Sequence, residues 1–266
     1  MLSGSPDAVI AVTLQRANRV LTSGYKGKLL QLLREGELYA ARRLQVASSG
    51  SLRGRFTEAH AQAYRVQMRL AVEYTQQRLL GLTDEQARVA IAAGVRDASN
   101  LIEGLERNFS NLAKPIRLDI PLLQGKVSDR VLSSLLAGNR SSVDRYGGRL
   151  IDAFEAQIRN GMMAGVSQGE MIRGLISVAP KDLAESLRAA EPRWFPDPKV
   201  TMRTRKYWAE RIVRTEKANA YNASQLELSH EVQRTTFPDM QKKILATFDI
   251  RTAYDSVGVH GQVRAL

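Results

Sequence analysis

The chain has 266 residues, of which 44% are hydrophobic, so it has room for one large domain or two small ones with ample core. It contains no cysteine, which excludes disulfides, thiolate metal sites and cysteine nucleophiles. The formal net charge of +12 is spread along the chain and not gathered in a tail, and a basic surface of that size favours polyanions, nucleic acid first.

Ser5-Pro6-Asp7 is a helix start: a serine cap, proline at the first helical position, and an acid at the positive end of the dipole. The helix it opens is expected to run to Gly24, with Val9, Ile10, Leu14, Ala17 and Leu21 at helical spacing. Asp7 and Arg16 interrupt the N-terminal apolar stretch, so no secretory signal is expected. No segment has the length of a membrane span, and the chain reads as intracellular and soluble, without a membrane partner. Lys26 to Val46 is a second helix, weakened in its middle by Gly36. Ser48 to Gly54 reads as a Ser/Gly linker.

Thr57 is expected to cap a helix through Leu80 that Gly81 terminates. Thr83-Asp-Glu-Gln86 then reads as a capping box for an alanine-rich helix from Glu85 to about Phe109. Lys114 to Pro121, with two prolines, predicts an extended connector or edge strand at a seam. A short helix over Ser128 to Leu136, closed by Gly138-Asn139, is followed by a cap at Ser141-Ser-Val-Asp144. The next helix carries Leu150, Ile151, Phe154, Ile158 and Met162 on one face and ends at Gly165. Ser167-Gln-Gly-Glu170 is a second capping box, so the two helices form a packing hairpin or a helix-turn-helix, the former favoured because only Arg173 suits nucleic acid.

Glu191 to Pro198 is a proline-rich loop whose Trp194 and Phe195 either anchor it or dock a partner protein. Thr201 to His230 reads as one long helix. Lys199, Arg203, Arg205, Lys206 and Arg211, interleaved with Tyr207 and Trp208, are candidate DNA contacts; a solvated face is the alternative. Beyond Phe237-Pro238-Asp239 the apolar run Ile244, Leu245, Phe248 meets Asp249-Ile-Arg251-Thr252, and Gly258-Val-His-Gly261-Gln262 follows. Asp249 and Arg251 read as a turn clasp joined by charge-assisted hydrogen bonds. No Walker loop, nucleophile elbow or H-E-x-x-H is present. His60, His230 and His260 lack metal-ligand spacing. No catalytic residue, metal or cofactor is therefore expected.

Two of these segments together resemble the minor head, or head morphogenesis, proteins of tailed phages, the group typified by the phage Mu F protein. Arg211-Ile-Val-Arg214-Thr215-Glu216-Lys-Ala-Asn-Ala-Tyr-Asn222 is similar to that family's Ala-Arg-Thr-Glu helix. Lys242 through Gln262 is similar to its Asp-x-Arg-Thr motif and closing Gly-Gln, and Gly161 to Glu170 to its helix–Gly–Ser–helix step. The likeness covers roughly residues 145–262. It departs at Ile244, where the family often has Trp, and at Asp255, where it has Cys or His; with no cysteine, no metal is expected here.

The resemblance implies a structural virion protein inside the head, assembled in the host cytoplasm and associated with the portal. Scaffold, major capsid protein and packaged DNA are further expected partners. Arg214, Thr215, Glu216, Asp249, Arg251, Thr252, Gly261 and Gln262 would be its structural motif residues. The expected fold is mainly α: a helical part over 1–120, a central helical part over 121–240 and a small α+β C-terminal unit over 241–266. A basic nucleic-acid-binding protein is the alternative, and a phosphate-handling transferase using Arg214, Glu216 and His260 a more distant one.

Overall fold

The structure, a computed structural model, describes residues 6–48, 52–108, 120–177, 201–235, 241–243 and 263–265. The protein is mainly α-helical. Its helices are α1 (Pro6–Thr22), α2 (Lys26–Ala47), α3 (Glu58–Asn108), α4 (Ile120–Ala164), α5 (Gln168–Ser177) and α6 (Thr201–Thr235). Two three-residue strands, β1 (Gln241–Lys243) and β2 (Val263–Ala265), pair antiparallel with Lys242 opposite Arg264. No described helix is long and apolar enough to cross a membrane.

The chain divides into two compact units, each built from separated stretches of sequence. The larger comprises Asn18–Ala90 and Ser133–Asn219. Its core follows from helical periodicity. On α2, Leu29, Leu32, Leu33, Gly36, Ala40 and Leu44 recur every three or four residues and are all buried. They pack with Tyr64, Met68, Val72 and Leu79 of α3, and with Tyr146, Leu150, Phe154 and Ile158 of α4. Met171 and Leu175 of α5 and Ile212 and Val213 of α6 complete the same cluster. Each such side chain taken fully out of water contributes about 1.5–3 kcal/mol.

Gly36 has a packing reason that propensity alone hides. A β-carbon there would lie 2.6 Å from the Thr75 hydroxyl, so the glycine lets α2 and α3 approach closely. The turn between α1 and α2 rests on Gly24, whose φ of 86° is the left-handed conformation that glycine adopts without penalty. The predicted hairpin of α4 and α5 is present: Gly165, φ 65°, follows the end of α4. The Ser167 hydroxyl meets the Glu170 amide at 3.3 Å, while the Glu170 carboxylate accepts from the Ser167 amide at 2.9 Å. The predicted linker is also engaged here, because the Gly54 and Leu52 carbonyls accept from the Gln168 and Gly169 amides.

Four predicted helix boundaries do not exist. α3 runs unbroken through Gly81 and the Thr83–Gln86 box, and Thr83 donates back to the Leu79 carbonyl at 2.8 Å. Leu79 and Leu82 are both buried, so packing on either side of Gly81 outweighs a cost of about 1 kcal/mol for one helical glycine. α4 likewise runs through Gly138, Asn139 and Ser141. Asn139 is not a cap: it is fully buried and its side-chain amide donates to Asp84 at 2.8 Å. Pro121 of the predicted connector lies in the first turn of α4, where a missing N–H is harmless; residues 109–119 lie outside the described residues.

The smaller unit comprises Met1–Ala17, Ile91–Leu132 and Ala220–Leu266. Ile91, Val95, Ala98 and Ile102 of α3 and Tyr221, Leu228 and Val232 of α6 are buried in it. The small residue Gly94 sets the approach, since a β-carbon there would stand 2.6 Å from the Tyr221 carbonyl oxygen. The Tyr221 hydroxyl donates to the buried Asp97 carboxylate at 3.0 Å, and Arg130 pairs with Glu227. Burial and the Asp97 charge both hold the Tyr221 phenol protonated well above its ordinary range.

Candidate functional site

The segment Arg211 to Asn219 on α6 carries a cluster of buried polar contacts in the larger unit. Glu216, 7% exposed, accepts from the Ser142 hydroxyl at 2.8 Å and from the Asn219 side-chain amide at 3.3 Å. Lys217, only 2% exposed, donates to the Ser23 carbonyl and to Gln86 Oε1, both at 2.9 Å. Its ammonium also lies 5.5 Å from the centre of the Tyr25 ring. Burial lowers the Lys217 pKa, because the low-dielectric surroundings disfavour the charged form. Gly24 in the left-handed turn sits beside Ser23, whose carbonyl receives this ammonium.

Next to this segment, α4 and α6 enclose a cleft of about 170 Å³. Ser142, Arg145, Tyr146 and Arg149 recur every three or four residues on α4; Trp208, Arg211, Ile212, Thr215 and Glu216 do the same on α6. The guanidinium carbons of Arg149 and Arg211 lie 5.4 and 5.6 Å from the Trp208 ring centre, within reach of the attraction between a cation and the indole face. Tyr146 is 3% exposed and its hydroxyl has no hydrogen-bond partner among the described residues; the Trp208 indole N–H has none either. Burial pushes the Tyr146 phenol up to about 12, so it remains a donor.

A second cavity is lined by Glu37, Tyr146, Phe154 and Arg205. Arg205, with an 11% exposed side chain, faces Glu37 at 3.6 Å and lies 5.6 Å from the Phe154 ring centre. Burial lowers the Arg205 pKa against the opposing pull of Tyr146 and Glu37, and raises that of Glu37.

These positions sort the predicted site residues. Arg205 is directed inside the unit, to Glu37 and the Leu175 carbonyl. Lys206 is half-buried, and Arg211 lines the cleft. Arg203 occupies a helical position in α6 and its side chain lies outside the described residues, as does Lys199. Arg214 is exposed, Thr215 is an exposed cleft residue, and Glu216 is buried. Arg211, Thr215 and Glu216 all line one cleft, because positions 215 and 216 lie four and five residues beyond 211, about one turn on, on one helix. Trp194, Phe195, Asp249, Arg251, Thr252, His260, Gly261 and Gln262 lie outside the described residues.

Sequence reasoning missed Ser142, Arg145, Arg149 and Lys217. The first three share a face of α4 that becomes visible once Ser141–Asp144 is recognised as helix interior. Among the described residues no group of three or more His, Asp or Glu side chains could hold a metal. Comparison with known proteins finds no matching family model, no matching curated protein and no matching solved structure.

Proposed function

We propose that this chain is a structural minor head protein of a tailed phage or prophage, acting inside the head near the portal. The observation that carries the reading is the state of the family-like helix segment. Glu216 is buried and already accepts two hydrogen bonds, and Lys217 is buried and donates two. Side chains committed in this way act as internal ties, which supports a scaffold role for the motif over an enzymatic one. The net charge of +12 supports a position close to packaged DNA.

In this reading Asp249, Arg251 and Thr252 form the clasp of a small α+β C-terminal unit that closes with Gly261 and Gln262. The portal protein is the principal partner, Trp194 and Phe195 a candidate docking point, and scaffold or major capsid protein further contacts. The protein contributes no catalytic step. Heads purified with and without the protein, followed by crosslinking, test this directly. Copurification with heads and crosslinks to the portal are expected; a protein that does neither is not a minor head protein.

A further inference from the structure

The cleft between α4 and α6 offers donors and almost no acceptors. Arg145, Arg149 and Arg211 line it, and none of them has an ion-pair partner among the described residues. Elsewhere in the larger unit Arg69 pairs with Glu155 and Arg78 with Glu35. Three unpaired like charges in one concavity raise each other's energy, and an anion among them relieves it. The cleft's one carboxylate, Glu216, already accepts from Ser142 and Asn219. One further buried donor, the Trp208 indole N–H, has no acceptor among the described residues, an arrangement that native interiors seldom leave unanswered; Tyr146, whose hydroxyl also lacks one, is shared with the Glu37–Arg205 cavity.

We propose that this cleft binds a phosphate group, free or carried on a nucleotide or nucleic-acid strand, with Arg145, Arg149 and Arg211 as its cationic ligands. Guanidinium forks match phosphate oxygens with two parallel hydrogen bonds, a geometry an ammonium cannot supply. The indole holds two of those forks over its ring. The volume, about 170 Å³, exceeds what a single water requires and admits a phosphoryl group with part of what carries it. A carboxylate presents fewer oxygens to the same set of donors, so an acidic peptide is the weaker fit. The inference rests on the head-protein reading only in making packaged DNA the source of the phosphate; the cleft itself is tested without heads.

The chain has two tryptophans, so the Trp194→Phe protein reports from Trp208 alone. Its fluorescence is titrated with inorganic phosphate, dAMP, a single-stranded oligonucleotide, a duplex and polyglutamate. A saturable response to phosphate-bearing probes is expected. Arg145→Gln, Arg149→Gln and Arg211→Gln should each weaken it about tenfold or more and, for strands, reduce the salt slope by about one. Arg159→Gln makes the same charge change on the exposed side of α4 and should leave the response intact.

Should Arg149→Gln or Arg211→Gln lower the melting temperature, the exposed Arg145 carries the test. Binding of small phosphates identifies a free-phosphate or nucleotide site, and binding of strands alone a backbone site; either upholds the cleft. No response to any phosphate probe, an equal response to polyglutamate, or equal weakening by Arg159→Gln overturns it. Phosphate binding by a protein absent from heads would overturn the head reading and leave the cleft standing.

Discussion

Lys217 should stabilise the fold through its hydrocarbon stem more than through its charge. The side chain is 2% exposed, so Lys217→Ala removes most of a buried four-carbon stem. At about 0.8 kcal/mol per buried methylene, that alone costs about 2–3 kcal/mol. The substitution also leaves Gln86 Oε1 buried without its donor, at about 1–3 kcal/mol. Opposing both is the release of a desolvated ammonium, worth several kcal/mol before its partners are counted. Lys217→Met keeps nearly all the stem and removes only the charge, so it should lie about 2–3 kcal/mol above Lys217→Ala in stability.

Urea unfolding followed by circular dichroism measures the gap, and melting temperatures should separate by about 2–4 °C per kcal/mol. The lowered Lys217 pKa adds a signature in pH. In the native state the amine loses its proton before the unfolded reference of 10.5 is reached. Between those two values the unfolded chain binds more protons, so wild-type stability gains as pH rises toward 10.5 and loses as it falls. Lys217→Met lacks this term, so the wild type should gain stability relative to Lys217→Met as pH rises over that window. Equal destabilisation by Met and Ala would show that the ammonium's hydrogen bonds dominate, and the stem argument would be wrong.

Other substitutions test the packing and the polar ties. Gly94→Ala should destabilise the smaller unit by about 1–3 kcal/mol, because the new β-carbon meets the Tyr221 carbonyl at 2.6 Å and backbone must shift. Gly81→Ala meets nothing within 4 Å and should stabilise α3 by about 0.5–1 kcal/mol; thermal melts with the opposite signs would refute both placements. Ser167→Ala should cost α5 about 1 kcal/mol by loss of its cap, seen as faster amide exchange in its first turn. Because bonds from the Ser167 amide and hydroxyl hold the Glu170 pKa below its ordinary value, their stabilisation is present above the unfolded carboxylate range and lost as acid carries the pH through the lowered value. Tyr25, Tyr64 and Tyr146 are each pushed by burial from 10.0 to about 12. The phenols' contribution to stability should therefore hold below pH 10 and fall between 10 and 12, by about 1.4 kcal/mol per pH unit for each phenol, with a shallower fall in Tyr64→Phe.

What could be read in advance was local. The apolar stripe of α2 and the Gly165–Ser167–Glu170 connection depend on residues a turn or two apart, and both are present. The misread boundaries share one cause. Thr83, Asn139 and Ser142 are residue types that cap helices, but each also has a side chain that can bond elsewhere. Thr83 bonds the Leu79 carbonyl, Asn139 bonds Asp84, and Ser142 bonds Glu216, 74 positions away in the chain. Thr83 is answered by its own helix one turn back, while for Asn139 and Ser142 a partner on another helix takes the polar group; either way the residue no longer competes with the helix backbone and the helix continues. No local pattern predicts that exchange. Gly36 and Gly94 were similarly opaque, since their meaning lies in what approaches them.

The basic run on α6 shows why charge counted along a sequence is a poor map of charge presented to a partner. A helix advances about 100° per residue, so neighbouring cations are dealt to different surroundings. Arg205 is turned inward to Glu37, Lys217 is buried against Ser23 and Gln86, Arg214 is exposed, and Arg211 reaches the cleft. Among the described residues these cations do not form one continuous basic stripe, although the net charge is +12. What replaces it is convergence from two helices. Arg149, far from the run in sequence, meets Arg211 at one indole, and Arg145 lines the same cleft. Three guanidinium groups lining one small volume discriminate by oxygen geometry, whereas a stripe responds only to total charge. Affinity that depends on this convergence must fall when any one of the three is neutralised, and must ignore an arginine such as Arg159 that adds equally to the total.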